Sequence, residues 1–209
     1  TISSTNGSNT IIGDITNSKG NINITTNGTT SNIASDIKTL DGTVKIENKK
    51  VNLTLSDTSS VSATDGVSIK NTSNAQKLTV AGAVSNTNND VIISSLNGLT
   101  ISNAILNEKG NINISNNSGL TSISGTITDN NGNITISNTG TTGISGAIAT
   151  NIGDITITSN GLSVAGLSTN KGTITLTSTN GYSQSGDIIN KEGNIVDVVK
   201  FSYIWRKKT

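Results

Sequence analysis

The sequence predicts an all-β chain wound as a right-handed parallel β-helix, a β-solenoid of about nine coils of roughly 21 residues. Three observations carry that prediction. The first is self-similarity. Gly132 to Ile148 reads GNITISNTGTTGISGAI, the next unit from Gly153 reads GDITITSNGLSVAGLS, and a third from Gly172 to Ile188 reads GTITLTSTNGYSQSGDI. The second is the spacing. Taking the residue two before the first inward aliphatic of each coil gives Gly20, Gly42, Asp65, Asn89, Gly110, Gly132, Gly153, Gly172 and Gly193. The intervals are 22, 23, 24, 21, 22, 21, 19 and 21 residues, within the range of solenoid repeats and without the tight multiple of six that a hexapeptide helix would show.

The third is composition. Only 31% of residues are hydrophobic and 2% aromatic, poor material for an ordinary globular core of 209 residues. Disorder does not follow, because only 13% are charged and there is no Pro. β-branched residues at fixed intervals point instead to strands stacked on copies of themselves.

Taken in order, the chain opens with Thr1, and Ile11 to Ile15 reads as the second half of a coil begun upstream. The expectation is an internal or truncated piece of a longer rod. The coil from Gly20 buries Ile22, Ile24, Ile33 and Ile37 on this reading. The next two, through Val44, Ile46, Val61, Val67 and Ile69, are the least regular and carry Glu47, Lys49, Lys50, Lys70 and Lys77. Irregular coils are where loops, and with them binding, are expected.

From Gly110 the pattern tightens. One inward column reads Ile112, Ile134, Ile155, Ile174 and Ile195; a second reads Ile114, Ile136, Ile157 and Leu176. Period-two alternation turns Asn113, Thr135, Thr156 and Thr175 outward. Gly28, Gly98, Gly119, Gly140, Gly161 and Gly181 are expected to end the first strand with a positive φ. Gly82, Gly125, Gly146, Gly166 and Gly186 are expected inside a second strand, at a bulge or bend. Lys19, Lys109 and Lys171 mark an exposed third corner.

The repeat region is assigned to residues 1–194 and an atypical tail to 195–209. The tail holds Phe201, Tyr203 and Trp205, nearly all the aromatic residues, and ends on Arg206, Lys207 and Lys208. It reads as a cap, as the start of another segment, or as a frame-shifted or prematurely ended stretch, the last being preferred.

Chemistry is sparse. There is no Cys, which removes disulfides and thiolate sites, and no His, which removes the commonest general base and metal ligand. A formal net charge of +1 draws in neither nucleic acid nor an anionic membrane. No apolar run approaches the roughly 20 residues that span a bilayer. The acids Asp14, Asp36, Asp41, Asp57, Asp65, Asp90, Asp129, Asp154 and Asp187 are scattered, and several sit beside turn glycines for conformational reasons. Asp154 and Asp187 fall in different strands and form no evident pair. No catalytic, cofactor-binding or metal-ligating residue is assigned, no cofactor is expected, and no contact residue is named. An enzyme acting on polysaccharides is a minor reading.

Asn-x-Ser/Thr triplets at Asn6, Asn23, Asn27, Asn52, Asn71, Asn113, Asn116 and Asn133 are explained by composition before glycosylation. Outward Thr156 with Thr158 and Thr175 with Thr177 suggest an ice-binding array. Asn23, Lys45, Ser68, Ile92 and Asn113 interrupt that column, so this too is a minor reading.

The recurring G-[NDT]-I-[NT]-[IL] unit at Gly20, Gly110, Gly132, Gly153 and Gly172 resembles the repeats of filamentous-haemagglutinin-type exoproteins, over roughly Ile11 to Ile195. The resemblance implies a large bacterial adhesin exported by two-partner secretion through an outer-membrane transporter. It implies a virulence-associated rod, secreted or displayed at the cell surface, that attaches to a host-cell surface protein or glycan or to other bacteria. Autotransporter passenger domains use similar units, and a spacer with no binding of its own is the alternative.

Overall fold

The computed structural model describes residues 1–199 and shows parallel β-strands stacked about 22 residues apart in a β-solenoid of about nine turns. Each coil has three faces, and in most coils each face is a separate strand. The first is β1 (Ile2–Ser4), β2 (Ser8–Ile11) and β3 (Ile15–Asn17); the second is β4 (Ile22–Thr26), β5 (Thr30–Ile33) and β6 (Ile37–Thr39). The third is β7 (Val44–Asn48), β8 (Leu53–Leu55) and β9 (Ser60–Ala63); the fourth is β10 (Val67–Asn71), β11 (Leu78–Val80) and β12 (Ala83–Asn86). The fifth is β13 (Val91–Ser95), β14 (Leu99–Ile101) and β15 (Ile105–Asn107); the sixth is β16 (Ile112–Asn116), β17 (Thr121–Ile123) and β18 (Ile127–Asn131). In the seventh and eighth, one strand runs round all three faces: β19 (Ile134–Ile152) and β20 (Ile155–Lys171). The ninth is β21 (Ile174–Ser178), β22 (Tyr182–Gln184) and β23 (Ile188–Glu192), and β24 (Ile195–Val199) lays a further first-face strand on β21.

Parallel pairing joins like residues. Ile112, Ile134, Ile155, Ile174 and Ile195 are register partners in succession, as are Ile114, Ile136, Ile157 and Leu176. Ile112 through Ile174 and Ile114 through Leu176 are buried at 0–1% exposure, which confirms the inward assignment. The second face adds the column Ile33, Leu55, Val80, Ile101, Ile123, Ile144 and Val164. The third adds Ile37, Val61, Val84, Ile105, Ile127, Ile148 and Leu167. A core only a few side chains wide therefore runs the length of the rod. Each coil removes its apolar surface from water only against its neighbours, which is why a poorly hydrophobic chain can hold it.

Four expectations are corrected. Ile195 is 46% exposed, because β24 is covered by β21 on one side only among the described residues. The coil containing Ile11 to Ile15 has its first face within the chain, since β1 pairs with β4 through Ile2 and Ile24. The second strand is really two. Gly82, Gly125 and Gly186 lie between the second- and third-face strands, and in β19 and β20 the same corner shows as a register shift between Ile144 and Ala147. Finally, Gly98, Gly119 and Gly181 take a positive φ but Gly28, Gly140 and Gly161 do not. At Gly28 and Gly140 the requirement is closeness: a β-carbon would collide with the carbonyl of Gly7 or Gly119 in the coil before.

The tail from Lys200 on, with Phe201, Tyr203 and Trp205, lies outside the described residues. Just before it the alternation changes sense. Val196 occupies the outward Thr175 column and is 41% exposed, while Asp197 takes the register place of Leu176.

Candidate functional site

The corners are built from buried polar side chains, and these decide what the surface has left to offer. At the corner between the first and second faces, the last residue of each first-face strand points inward. Thr26, Asn48, Asn71, Ser95, Asn116, Asn138, Ser159 and Ser178 are successive register partners, each 5% exposed or less. Burial of such groups is tolerable only if they are hydrogen-bonded, and most of them close their own turn. The Asn138 amide donates to the Thr141 carbonyl at 2.8 Å while its oxygen accepts the Gly140 N–H at 2.9 Å. Ser95 donates to the Gly98 carbonyl and Ser159 to that of Gly161, both at 2.8 Å.

A second buried ladder lines the corner between the third and first faces: Thr39, Asn86, Asn107, Asp129, Thr150 and Thr169, with Ala63 the apolar member. A third set lies outside, at the residue after the register glycine. The Asn111 oxygen accepts the N–H of Asn133 at 3.1 Å, Asn133 that of Asp154 at 2.8 Å, and Asp154 that of Thr173 at 2.7 Å. Asp90 starts the run by accepting from Asn111 N–H at 2.8 Å. This explains the Asn or Asp of the repeat unit: a short side chain with an acceptor oxygen reaches the next coil's amide.

None of the buried ladders was anticipated from sequence. Their signal was present, since Thr, Asn or Ser stands four residues after the first inward aliphatic in every coil from Ile22 to Ile174.

The surface least committed to the stack is on the third and fourth coils, the irregular ones. Here the turn between first and second faces spans residues 49–52 in the third coil, no longer than residues 117–120 in the sixth, and lengthens to 72–77 in the fourth. Asn48 accepts the N–H groups of Lys50 and Val51 at 2.9 and 3.1 Å, and Asn71 donates to the Lys77 carbonyl at 2.8 Å, so both loops are anchored at their bases. Glu47 is flanked by Lys45 at 3.7 Å and Lys49 at 4.0 Å and is the register partner of Lys70. Exposed pairs of this kind contribute little to stability; they set the charge a partner would meet. A shallow groove of about 310 Å³ crosses the first face beside them, lined by Asn23, Lys45, Asp65, Ser68, Asp90 and Ile92. A second of about 330 Å³ runs between the loops, with Asn32, Asn52, Thr54 and Gln76 on its walls.

The other residues singled out by sequence are placed as follows. Asp14 accepts the Asp36 N–H, Asp36 accepts the Ser60 hydroxyl, and Asp90 and Asp154 belong to the outer ladder. These carboxylates are architectural. Asp154 precedes β20 and Asp187 precedes β23, so the structure does not bring them together on one face. Asn71 and Asn116 are core members at 1% and 3% exposure, which closes two of the eight triplets to glycosylation in the folded chain. The outward column runs Asn23, Lys45, Ser68, Ile92, Asn113, Thr135, Thr156 and Thr175, as the alternation predicts. Among the described residues, no group of three or more acidic side chains could hold a metal ion, and no helix is long and apolar enough to cross a membrane.

No protein-family model, curated protein or solved structure matches the chain.

Proposed function

We propose that this chain is a rod segment of a secreted or surface-displayed bacterial adhesin, and that its third and fourth coils make the contact. The observation that carries the reading is a contrast along the rod. In the coils from Gly110, polar groups are spent on ladders, and the outward first face is a uniform run of Asn, Thr and Ser. In the third and fourth coils, strands β7 and β10 present Lys45, Glu47 and Lys70, and the anchored turns that follow them, the second one lengthened, present Lys49, Lys50 and Lys77 beside two grooves. Binding sites favour loops held on a rigid scaffold. The resemblance of the repeat unit to filamentous-haemagglutinin-type exoproteins supplies the class of partner: a host-cell surface protein or glycan, or another bacterium. It also supplies the route, export through an outer-membrane transporter to the cell surface. Coils that stack on their predecessors suit such export, since each can fold as it emerges.

A spacer is the second reading, favoured by the uniformity of the coils from Gly110. Whole-coil deletions separate the two. Val44, Val67 and Val91 are register partners, so removing Val44–Asp90 takes out two entire coils and rejoins the stack in phase. Removing Ile112–Asp154 does the same in the uniform region. Saturable attachment of the labelled chain to epithelial or bacterial cells is expected to survive the second deletion and vanish with the first. Attachment that persists in both would remove the contact from these coils, and an intact chain that does not attach would leave the spacer.

A further inference from the structure

Asp129 is the one acidic member of the inner ladder between the third and first faces, and it is 0% exposed. Its neighbours show what this position is used for. Thr39 donates its hydroxyl hydrogen to the Gly20 carbonyl at 2.8 Å, Thr150 to that of Gly132 at 3.0 Å and Thr169 to that of Gly153 at 3.1 Å. Asn190 donates its amide to the Gly172 carbonyl at 2.9 Å. These four residues thus donate to the carbonyl at their own coil's register point, whereas Asn86 donates to the Asn89 carbonyl of the next coil and Asn107 to Asp129 itself. By the same spacing the acceptor for Asp129 is the carbonyl of Gly110. That carbonyl oxygen and Asp129 Oδ2 both lie against the place where a β-carbon on Gly132 would sit.

An ionised carboxylate has no hydrogen to give. Asp129 instead accepts twice, at Oδ2 from the Asn107 amide at 3.5 Å and at Oδ1 from the Asn131 N–H at 3.1 Å. Asn86 donates in turn to Asn107 at 3.0 Å, so amide polarity along the ladder runs toward the acid and stops there.

We propose that Asp129 is a proton-operated clasp: protonation turns it into a donor to the Gly110 carbonyl, closing the end of the sixth coil onto its own start, and ionisation releases it. The groups around it favour the proton. Burial pushes its carboxyl from the ordinary 3.8 up to about 6, and the nearby charges of Asp90, before β13, and Glu108, after β15, push the same way. The Asn107 amide and Asn131 N–H pull against them. On the other side, β19 presents the neutral Thr150, and the ion pairs among the described residues join Lys45 and Lys49 to Glu47 and Lys171 to Glu192, none of them to Asp129.

The direction follows from the raised value. Stability contributed by the protonated form is full below the unfolded value near 3.8 and is lost as pH rises through about 6. Between pH 7.5 and 4.5 the unfolding equilibrium constant should fall about 30-fold through this group alone. The test compares the full chain with Asp129→Asn, which carries a donor at every pH, by denaturant unfolding at both values. The wild type is expected to show the extra 30-fold change and the variant to lack it. A carboxyl-carbon NMR titration of the wild type stands independently of whether the variant folds, and Asp129 should titrate near 6. Titration of Asp129 below pH 4.5, or an Asp129→Asn chain with the wild-type pH dependence, would overturn the proposal.

Discussion

The side-chain oxygen of Asn133 accepts the backbone N–H of Asp154 at 2.8 Å, one coil further along the rod. Asp154 repeats the contact with Thr173 at 2.7 Å. A sequence motif thereby becomes a contact between coils, tying strand entry points together outside the regular β-ladder. Either Asn or Asp can serve, because only an acceptor oxygen on a short side chain is used. Asn133→Asp should therefore leave urea stability nearly unchanged, whereas Asn133→Ala should lower it by about 0.5–1.5 kcal/mol, the typical net value of one such bond.

Ile136 and Thr135 are adjacent in β19 and face opposite ways, Ile136 fully buried between Ile114 and Ile157 and Thr135 half-buried on the outer face. Ile136→Asn should destabilise by a few kcal/mol, since it places an amide with no assigned partner among aliphatic side chains. Thr135→Ser should stay within about 0.5 kcal/mol. Equal shifts of the two unfolding midpoints would contradict the inside–outside assignment.

Gly140 and Gly161 hold equivalent corners in successive coils, and neither needs a positive φ. A β-carbon on Gly140 would meet the Gly119 carbonyl, but on Gly161 it would make ordinary contact with Thr141 at 3.5 Å. Gly140→Ala should cost more than 1 kcal/mol. Gly161→Ala should be neutral or add up to about 1 kcal/mol by restricting the unfolded chain. Thermal midpoints of the two variants give the answer directly.

What was legible in the sequence was whatever repeats with a simple period. The Ile112 and Ile114 columns, the outward threonines and the irregularity of the third and fourth coils could all be read from alternation and spacing. The three-strand coil could not. Gly146 between Ile144 and Ile148 looks like a bend in one strand, and only register shows that its flanks belong to different faces. The inner ladders were hidden for another reason. Asn138 and Ser159 have the composition of a surface turn, and their burial depends on closing that turn from inside. Asp129 reads as one more scattered acid, because sequence gives its neighbours along the chain and not Asn107, one coil away.

The central structural claim is that the coil is the unit of this molecule, so that phase matters more than length. Small-angle scattering with denaturant unfolding on two deletions tests it. Removing Val44–Asp90 puts Val91 in the register place of Val44, whereas the shorter deletion Val44–Lys77 joins a first-face entry to Leu78, a second-face residue. The account predicts that the longer deletion gives a folded rod shorter by about 10 Å, two strand spacings, with a cooperative transition. It predicts that the shorter deletion loses the cooperative transition despite retaining more of the chain. Equal stability of the two, or a stable out-of-phase chain, would contradict the solenoid register on which the account rests.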